Sequence, residues 1–169
     1  MTELEYIINT VAGSLSSAGV GNVIRAFPPG VTAAYSEPVI AVGLKSGSGV
    51  SVGLADYMGM KYERERDSFT EIYGKRVELT LSLDIYSPKD AIYGAAACTE
   101  IFGCVMAATL SFPSGIRILE MRCGETEYDS VARMFRCQGE LKCAVALYAA
   151  IDDENTEFTS FRIKGELNN

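Results

Sequence analysis

The chain contains no histidine and no tryptophan. Histidine is the commonest general base and the commonest zinc ligand in proteins, so its absence excludes Ser-His-Asp and Cys-His nucleophilic sites. Without tryptophan, one common residue for stacking against sugars is also missing. We therefore expect no conventional catalytic site, no metal site and no cofactor.

Positive charge is also scarce, since 15 Lys and Arg residues face 22 Asp and Glu residues, for a net charge of -7. A nucleic-acid groove requires a surplus of Lys and Arg, so we expect no specific nucleic-acid partner, although DNA could pass close by without binding. No apolar run approaches the roughly 20 residues of a membrane span. The acidic start, Met1–Glu5, lacks the basic residues of a signal peptide, which predicts a cytoplasmic protein with no membrane partner.

The five cysteines are odd in number, and none forms a C-x-x-C pair. Each lies among apolar neighbours, which favours free thiols in a reducing cytosol over a disulfide framework or a metal site. The cysteines are Cys98, Cys104, Cys123, Cys137 and Cys143.

Three short motifs match known sites only in part. Gly49–Gly53 has the form G-x-S-x-G, but it lies in an alternating apolar stretch and has no histidine partner. Leu44–Ser46 places leucine where a phosphate-binding loop needs glycine. Glu125–Asp129 alternates like a calcium loop, but Ser130 stands where that loop needs glycine, which favours an exposed acidic turn.

Two helices are predicted. Thr2 and Glu5 form a capping box before an apolar stripe, and Gly19 ends this first helix after Ala18. The second should run over 88–110, because Ser-Pro-Lys-Asp is a typical helix start. It is apolar nearly all round, which indicates burial on more than one side, the second side being a neighbouring subunit. Ile101 and Val105 are the interface residues expected on it.

The clearest strand is Arg76–Tyr86, where apolar and polar residues alternate with a period of two. A turn at 46–49 and a polar link at 125–129 separate other predicted strands. Those strands are 23–27, 38–44, 50–54, 116–122 and 135–150, with a further short one at 158–163.

Residues 56–70 combine dense mixed charge with aromatic and methionine side chains. The charge alone is typical of a solvated, mobile loop. Tyr57, Met58, Met60 and Tyr62 favour instead an extended arm that binds a partner, because such residues are enriched at interface cores. We expect this segment to be poorly ordered until it meets a neighbouring subunit or another partner.

The order of elements predicts one α+β domain over 1–169: a mainly antiparallel sheet with two helices packed on one face, plus a hairpin or extended arm. Residues 56–70 would form the charged loop or arm. Residues 152–169 would form a C-terminal tail.

This order resembles that of the tail-terminator (tail-completion) proteins of tailed phages and related contractile particles. The segments that carry the resemblance are Ala26–Pro29, Glu37–Val42, Tyr73–Leu81 and Ile85–Pro88, and it spans about residues 2 to 150. It rests on element order and general chemistry rather than on an invariant motif.

The resemblance implies a non-enzymatic ring, usually a homohexamer, that sits on the end of the tail tube protein and stops its growth. The ring would assemble in the cytoplasm and also meet a sheath or head-neck protein. Two alternatives remain open: another neck or baseplate subunit, or a cytosolic ligand-binding or enzymatic α+β domain. The last would be a monomer or dimer with a deep cavity, whereas a ring has symmetry and a central hole.

Overall fold

A six-stranded, mostly antiparallel sheet with two helices on one face organises the part of the chain that the structure describes, which confirms the predicted α+β class. The computed structural model describes residues 3–26, 35–65, 67–113 and 115–152. Short 3-10 turns at Leu54–Asp56 and Thr109–Ser111 follow β2 and α2. The helices and strands are α1 (Glu3–Ser17), β1 (Asn22–Arg25), β2 (Val39–Ser51), β3 (Tyr57–Glu63), β4 (Ser68–Pro88), α2 (Ala96–Ala108), β5 (Ile116–Asp129) and β6 (Met134–Asp152).

Strand β4 is the centre of the sheet. The strand order is β1-β2-β4-β6-β5, with β3 also paired to β4, and the β1–β2 pair is the parallel one. Strands β2 and β3 follow the same edge of β4, because β2 ends opposite Lys75 and β3 begins opposite Tyr73. Strand β6 pairs with the other edge from Thr70 to Pro88.

The main core lies between the helices and the sheet. Leu79, Leu81 and Leu83 alternate along β4 and are fully buried, each contributing roughly 1.5–3 kcal/mol through burial. The α1 stripe meets them through Ile7, Val11 and Leu15, while α2 contributes Cys98, Phe102 and Val105. A smaller cluster of Val39, Ala41, Tyr86 and Met134 forms separately.

Helix α1 ends as its sequence indicates. The helix stops at Ser17, Gly19 has a φ of 73°, and the Val20 amide donates to the Leu15 carbonyl. Glycine suits this left-handed position because it has no Cβ. Thr2, the predicted cap, lies outside the described residues.

Helix α2 is shorter than predicted, because the Ser-Pro pair belongs to β4. The β4–β6 ladder continues to Pro88, and Ser87 Oγ donates to the Gly94 carbonyl at 2.8 Å instead of capping a helix. Asp90 Oδ1 accepts from the amides of residues 92 and 93, both at 2.8 Å, so it closes a turn. The helix begins only at Ala96.

The predicted turn at 46–49 is wrong, since β2 runs through it without a hairpin. Ser46 to Gly49 pair with β4, with a bulge between Leu44 and Ser46. A Cβ at Gly47 would lie 2.8 Å from Leu79 Cδ2, whereas one at Gly49 would have nothing within 4 Å. Pairing with β4 therefore keeps a segment extended although its composition is typical of a turn.

Two other strand boundaries also differ from the prediction. Strand β5 extends to Asp129, so the predicted polar link at 125–129 is strand, and β4 begins eight positions earlier, at Ser68 instead of Arg76. The predicted strand at 158–163 and the tail beyond Asp152 lie outside the described residues. No helix in the described part of the chain is long and apolar enough to cross a membrane.

Candidate interaction surface on the β3–β4 hairpin

Residues 57–63 and 68–73 form a paired β-hairpin, which agrees with the predicted hairpin or extended arm and not with the alternative of a mobile loop at 56–70. Strand β3 pairs with the start of β4 from Tyr57↔Tyr73 to Glu63↔Ser68. The opposite edge of β4 is already paired with β6 from Thr70 onward. The backbone of the segment is thus hydrogen-bonded within the sheet despite its charge, and we call β3 with residues 68–73 the arm.

One side of the arm carries a continuous row of aromatic and methionine side chains, which we call the aromatic face. The Tyr57 and Tyr73 rings meet edge-on with centroids 5.5 Å apart, and the Tyr62 and Phe69 rings lie 5.2 Å apart. Met60 is placed between these two pairs by the register. Such cross-strand aromatic pairs stabilise a hairpin and hold their rings on one side of it.

The aromatic face is largely open to solvent. Relative exposure is 61% at Met60, 54% at Phe69, 48% at Tyr62 and 37% at Tyr57. The unbroken β4–β6 register places Phe69 and Tyr73 on the same side of β4 as Val77 and the buried leucines. The face therefore continues the helix-covered side of the sheet beyond the helices, and an exposed apolar patch of this kind marks an interaction surface.

Met58 is separated from the other predicted interface residues. A bulge between Tyr57 and Gly59 shifts it out of register. Its Sδ lies over Gly74, where an added Cβ would collide with it and with the Leu147 carbonyl. The structure therefore brings Tyr57, Met60 and Tyr62 together, and places Met58 against Gly74.

Phe69 and Tyr73 complete the aromatic face, but the sequence reasoning did not single them out. The signal was weak, because Phe69 and Tyr73 share the alternate positions of the apolar residues in the long strand, but Glu71 and Lys75 interrupt the pattern. The charged run before them favoured a loop.

Carboxylates keep the arm's tyrosine hydroxyls protonated. Tyr62 Oη donates to Asp67 Oδ1 at 2.5 Å, and Tyr73 Oη donates to Glu71 Oε2 at 2.8 Å. Each hydrogen bond raises the pKa of its tyrosine, because the phenolate would face a negative charge. The tyrosine hydroxyls of the arm thus stay neutral, and the negative charge beside them is carried by Asp67 and Glu71.

On α2 the predicted interface pair behaves differently from the expectation. Val105 is fully buried, because it shares the sheet-facing stripe with Cys98 and Phe102, so its assignment to an interface is wrong. Ile101 is partly buried and packs against the same core. The apolar side chains exposed in and just after the helix are instead Met106 at 48% and Leu110 at 89%.

Beyond the small apolar cluster that includes Val39 and Tyr86, the sheet face opposite the helices carries paired charges. Arg136 Nη2 lies 3.0 Å from Asp84 Oδ2, and Lys142 Nζ lies 3.3 Å from Glu78 Oε2. A shallow cavity of about 110 Å³ opens among such residues. Neighbouring charges of opposite sign therefore offset each other among the described residues of this face. The cavity is lined by Thr80, Glu120, Arg122, Glu140 and Lys142.

The acidic segment considered for calcium lines a larger cavity of about 270 Å³ between β5 and β6, with Arg136 among its walls. Asp129 Oδ1 accepts from the amides of Val131 and Ala132 at 2.9 and 3.0 Å, so it caps the β5–β6 turn. Within the described residues, no group of three or more His, Cys, Asp or Glu side chains is arranged to hold a metal ion.

No protein-family model matches the chain, and no curated protein is significantly similar to it in sequence.

Proposed function

We propose that this protein is a non-enzymatic structural subunit that assembles with copies of itself into a ring capping the tail tube of a phage or phage-like contractile particle. The observation that carries the proposal is the aromatic face of the arm. It presents four large side chains that are more than one-third exposed on a hydrogen-bonded scaffold. A second copy of the chain is the partner that we assign to it.

Strand β4 is long enough to extend beyond the helices toward a neighbouring subunit. Strand β4 has 21 residues, which span about 70 Å at a rise of roughly 3.3 Å per residue. Helix α2 has 13 residues and covers only about 20 Å of that length. The arm lies along the part of β4 beyond the buried Val77–Ile85 stretch, where a neighbouring subunit could meet it.

The arm is also suited energetically to association. Covering a large apolar side chain contributes roughly 1.5–3 kcal/mol, so several of them together can offset the entropy lost on association. Within the hairpin, β3 is already paired with β4, and β4 is paired with β6 on its other edge. Little further ordering of the backbone is therefore required when a partner binds. This lowers the entropic cost relative to a disordered arm.

The assignment to a tail end rests on the order of elements. A helix, a short strand, a Pro-preceded strand, an arm, a long strand ending in Ser87-Pro88, a helix and an antiparallel pair follow one another as the tail-terminator resemblance implies. In this proposal the ring forms in the cytoplasm and becomes part of the particle. Its other partners are the tail tube protein and a sheath or head-neck protein.

Sedimentation velocity and negative-stain imaging of the purified protein test the proposal. The parent should form closed rings with a central hole. The triple variant Met60→Ser, Tyr62→Ser, Phe69→Ser should sediment as a smaller species with a thermal midpoint close to the parent's, because these side chains contact little of the core.

The matched control is Ile92→Ser with Val131→Ser, which removes two exposed apolar side chains, 82% and 72% accessible, from outside the arm. This variant should still form rings. A parent that stays monomeric at the highest attainable concentration contradicts self-assembly, and an arm variant that assembles like the parent removes the arm from the interface.

A further inference from the structure

Two thiols meet at the bulge between β5 and β6. Cys123 Sγ lies 3.4 Å from the Gly124 carbonyl oxygen, and Cys137 Sγ lies 3.5 Å from that same oxygen. The β5–β6 register slips between Cys123↔Gly139 and Thr126↔Cys137, and this slip brings the two side chains toward a shared acceptor.

The two thiols differ in access to solvent. Cys123 is exposed, whereas Cys137 is fully buried. Burial, together with the neighbouring Cys123 thiol, raises the pKa of Cys137 to about 12. The Cys123 thiol is therefore accessible to a reagent in solution, and the buried Cys137 thiol lies near the same carbonyl oxygen.

Cys98 is also close but is held differently. Its thiol is fully buried and lies 3.7 Å from the Ile85 carbonyl and 3.8 Å from the Phe135 carbonyl. It shares no acceptor with Cys123 in the described hydrogen bonds. The geometry thus favours one pair among the three sulfur atoms.

We infer that Cys123 and Cys137 form a redox-responsive pair that closes into an intrachain disulfide when the folded protein meets a diffusible small-molecule disulfide. The inference is independent of the proposed function. In a reducing compartment both thiols remain free, which agrees with the expectation drawn from the cysteine pattern.

The reaction balances with oxidised glutathione as the oxidant. The Cys123 thiolate attacks one glutathione sulfur, forming a mixed disulfide and releasing one reduced glutathione. Cys137 then loses its proton to solvent and attacks the Cys123 sulfur, which releases the second glutathione. The protein pair loses two electrons, which reduce one glutathione disulfide to two thiols.

Intact mass measurement after alkylation under denaturing conditions tests the inference. The reduced protein has five free cysteines and should give five adducts. After the folded protein is incubated with oxidised glutathione, only three cysteines should be alkylated, because two are joined in a disulfide. Peptide mapping should link Cys123 to Cys137. Closure should also raise the thermal midpoint by a few degrees, because it constrains the unfolded chain.

Two variants separate the roles of the thiols. Cys123→Ser changes an exposed site, so it should leave folding intact and should abolish the loss of the two thiols. Cys104→Ser removes an exposed thiol elsewhere and should leave the Cys123–Cys137 link unchanged. Five adducts after oxidation, a link that maps to Cys98, or loss of two thiols in Cys123→Ser would each overturn the inference.

Discussion

Gly139 faces Leu83 across the β4–β6 ladder, at a place where no side chain fits. A Cβ there would lie 2.6 Å from the Leu83 carbonyl oxygen and 3.3 Å from its Cβ. Because backbone cannot move aside as a flexible side chain can, Gly139→Ala should destabilise the fold by about 1–3 kcal/mol. Urea unfolding followed by circular dichroism measures this.

Gly49→Ala is the matched control for that substitution, since it lies in β2 with nothing within 4 Å of an added Cβ. It should be neutral or slightly stabilising, because alanine restricts the unfolded chain more than glycine does. Equal destabilisation by both substitutions would show that the ladder is not specially tight at Gly139.

Single residues also show which buried positions could be predicted from the sequence and which could not. The alternation in Arg76–Tyr86 predicts which β4 side chains are buried, and the structure confirms it at Leu79, Leu81 and Leu83. The pattern in α2 could not separate Val105 from Met106, because apolar residues occur on all sides of that helix. Only the position of the sheet decides that Val105 is buried and Met106 is exposed.

Among the elements, α2 offers a direct test of where a helix begins. We expect amides in Phe102–Ala108 to be strongly protected from hydrogen exchange, because they are bonded within a helix packed on the sheet. Amides in Lys89–Ala95 should exchange much faster, since most of this segment is turn rather than helix. Mass spectrometry of peptic fragments can resolve the two regions.

Slow exchange throughout 89–108 would contradict this boundary and restore the longer helix of the sequence prediction. The amides of residues 92 and 93 serve as an internal reference, because Asp90 Oδ1 accepts from both. Asp90→Ala should speed their exchange without affecting Phe102–Ala108.

The predicted elements were wrong where long-range pairing overrode local composition. Ser46–Gly49 has the composition of a turn, yet pairing with β4 keeps it extended. Ser87-Pro88 has the composition of a helix start, yet pairing with β6 keeps it in β4. The aromatic face could be predicted only in part, for the same reason. The sequence alone singled out Tyr57, Met60 and Tyr62, whereas the strand pairing was needed to place Phe69 and Tyr73 beside them.

For the whole molecule, the arm and the helix-covered core should be separable. Gly59 pairs with Ile72, so residues 60–71 can be replaced by Asn-Gly, a sequence that suits a tight two-residue hairpin turn. The shortened protein should keep a thermal midpoint within a few degrees of the parent's, because the main buried cluster lies outside the replaced segment. Differential scanning calorimetry measures this.

The same shortened protein should not form rings, as judged by sedimentation velocity. A circular dichroism spectrum like the parent's serves as the folding control. If the shortened protein unfolds at much lower temperature, the arm is part of the cooperative core rather than a projecting contact element.

The position of β6 has a consequence for synthesis of the chain. Strands β2 and β3 find their common partner only after β4 is made, and β4 finds its second partner only in β6, the last strand of the sheet in chain order. Strands that are made earlier therefore keep apolar side chains and unpaired edges exposed until β6 has been made. The nascent chain is consequently most exposed to aggregation just before β6 is made, and slowing translation before β6 should lower the yield of folded protein more than slowing it afterwards.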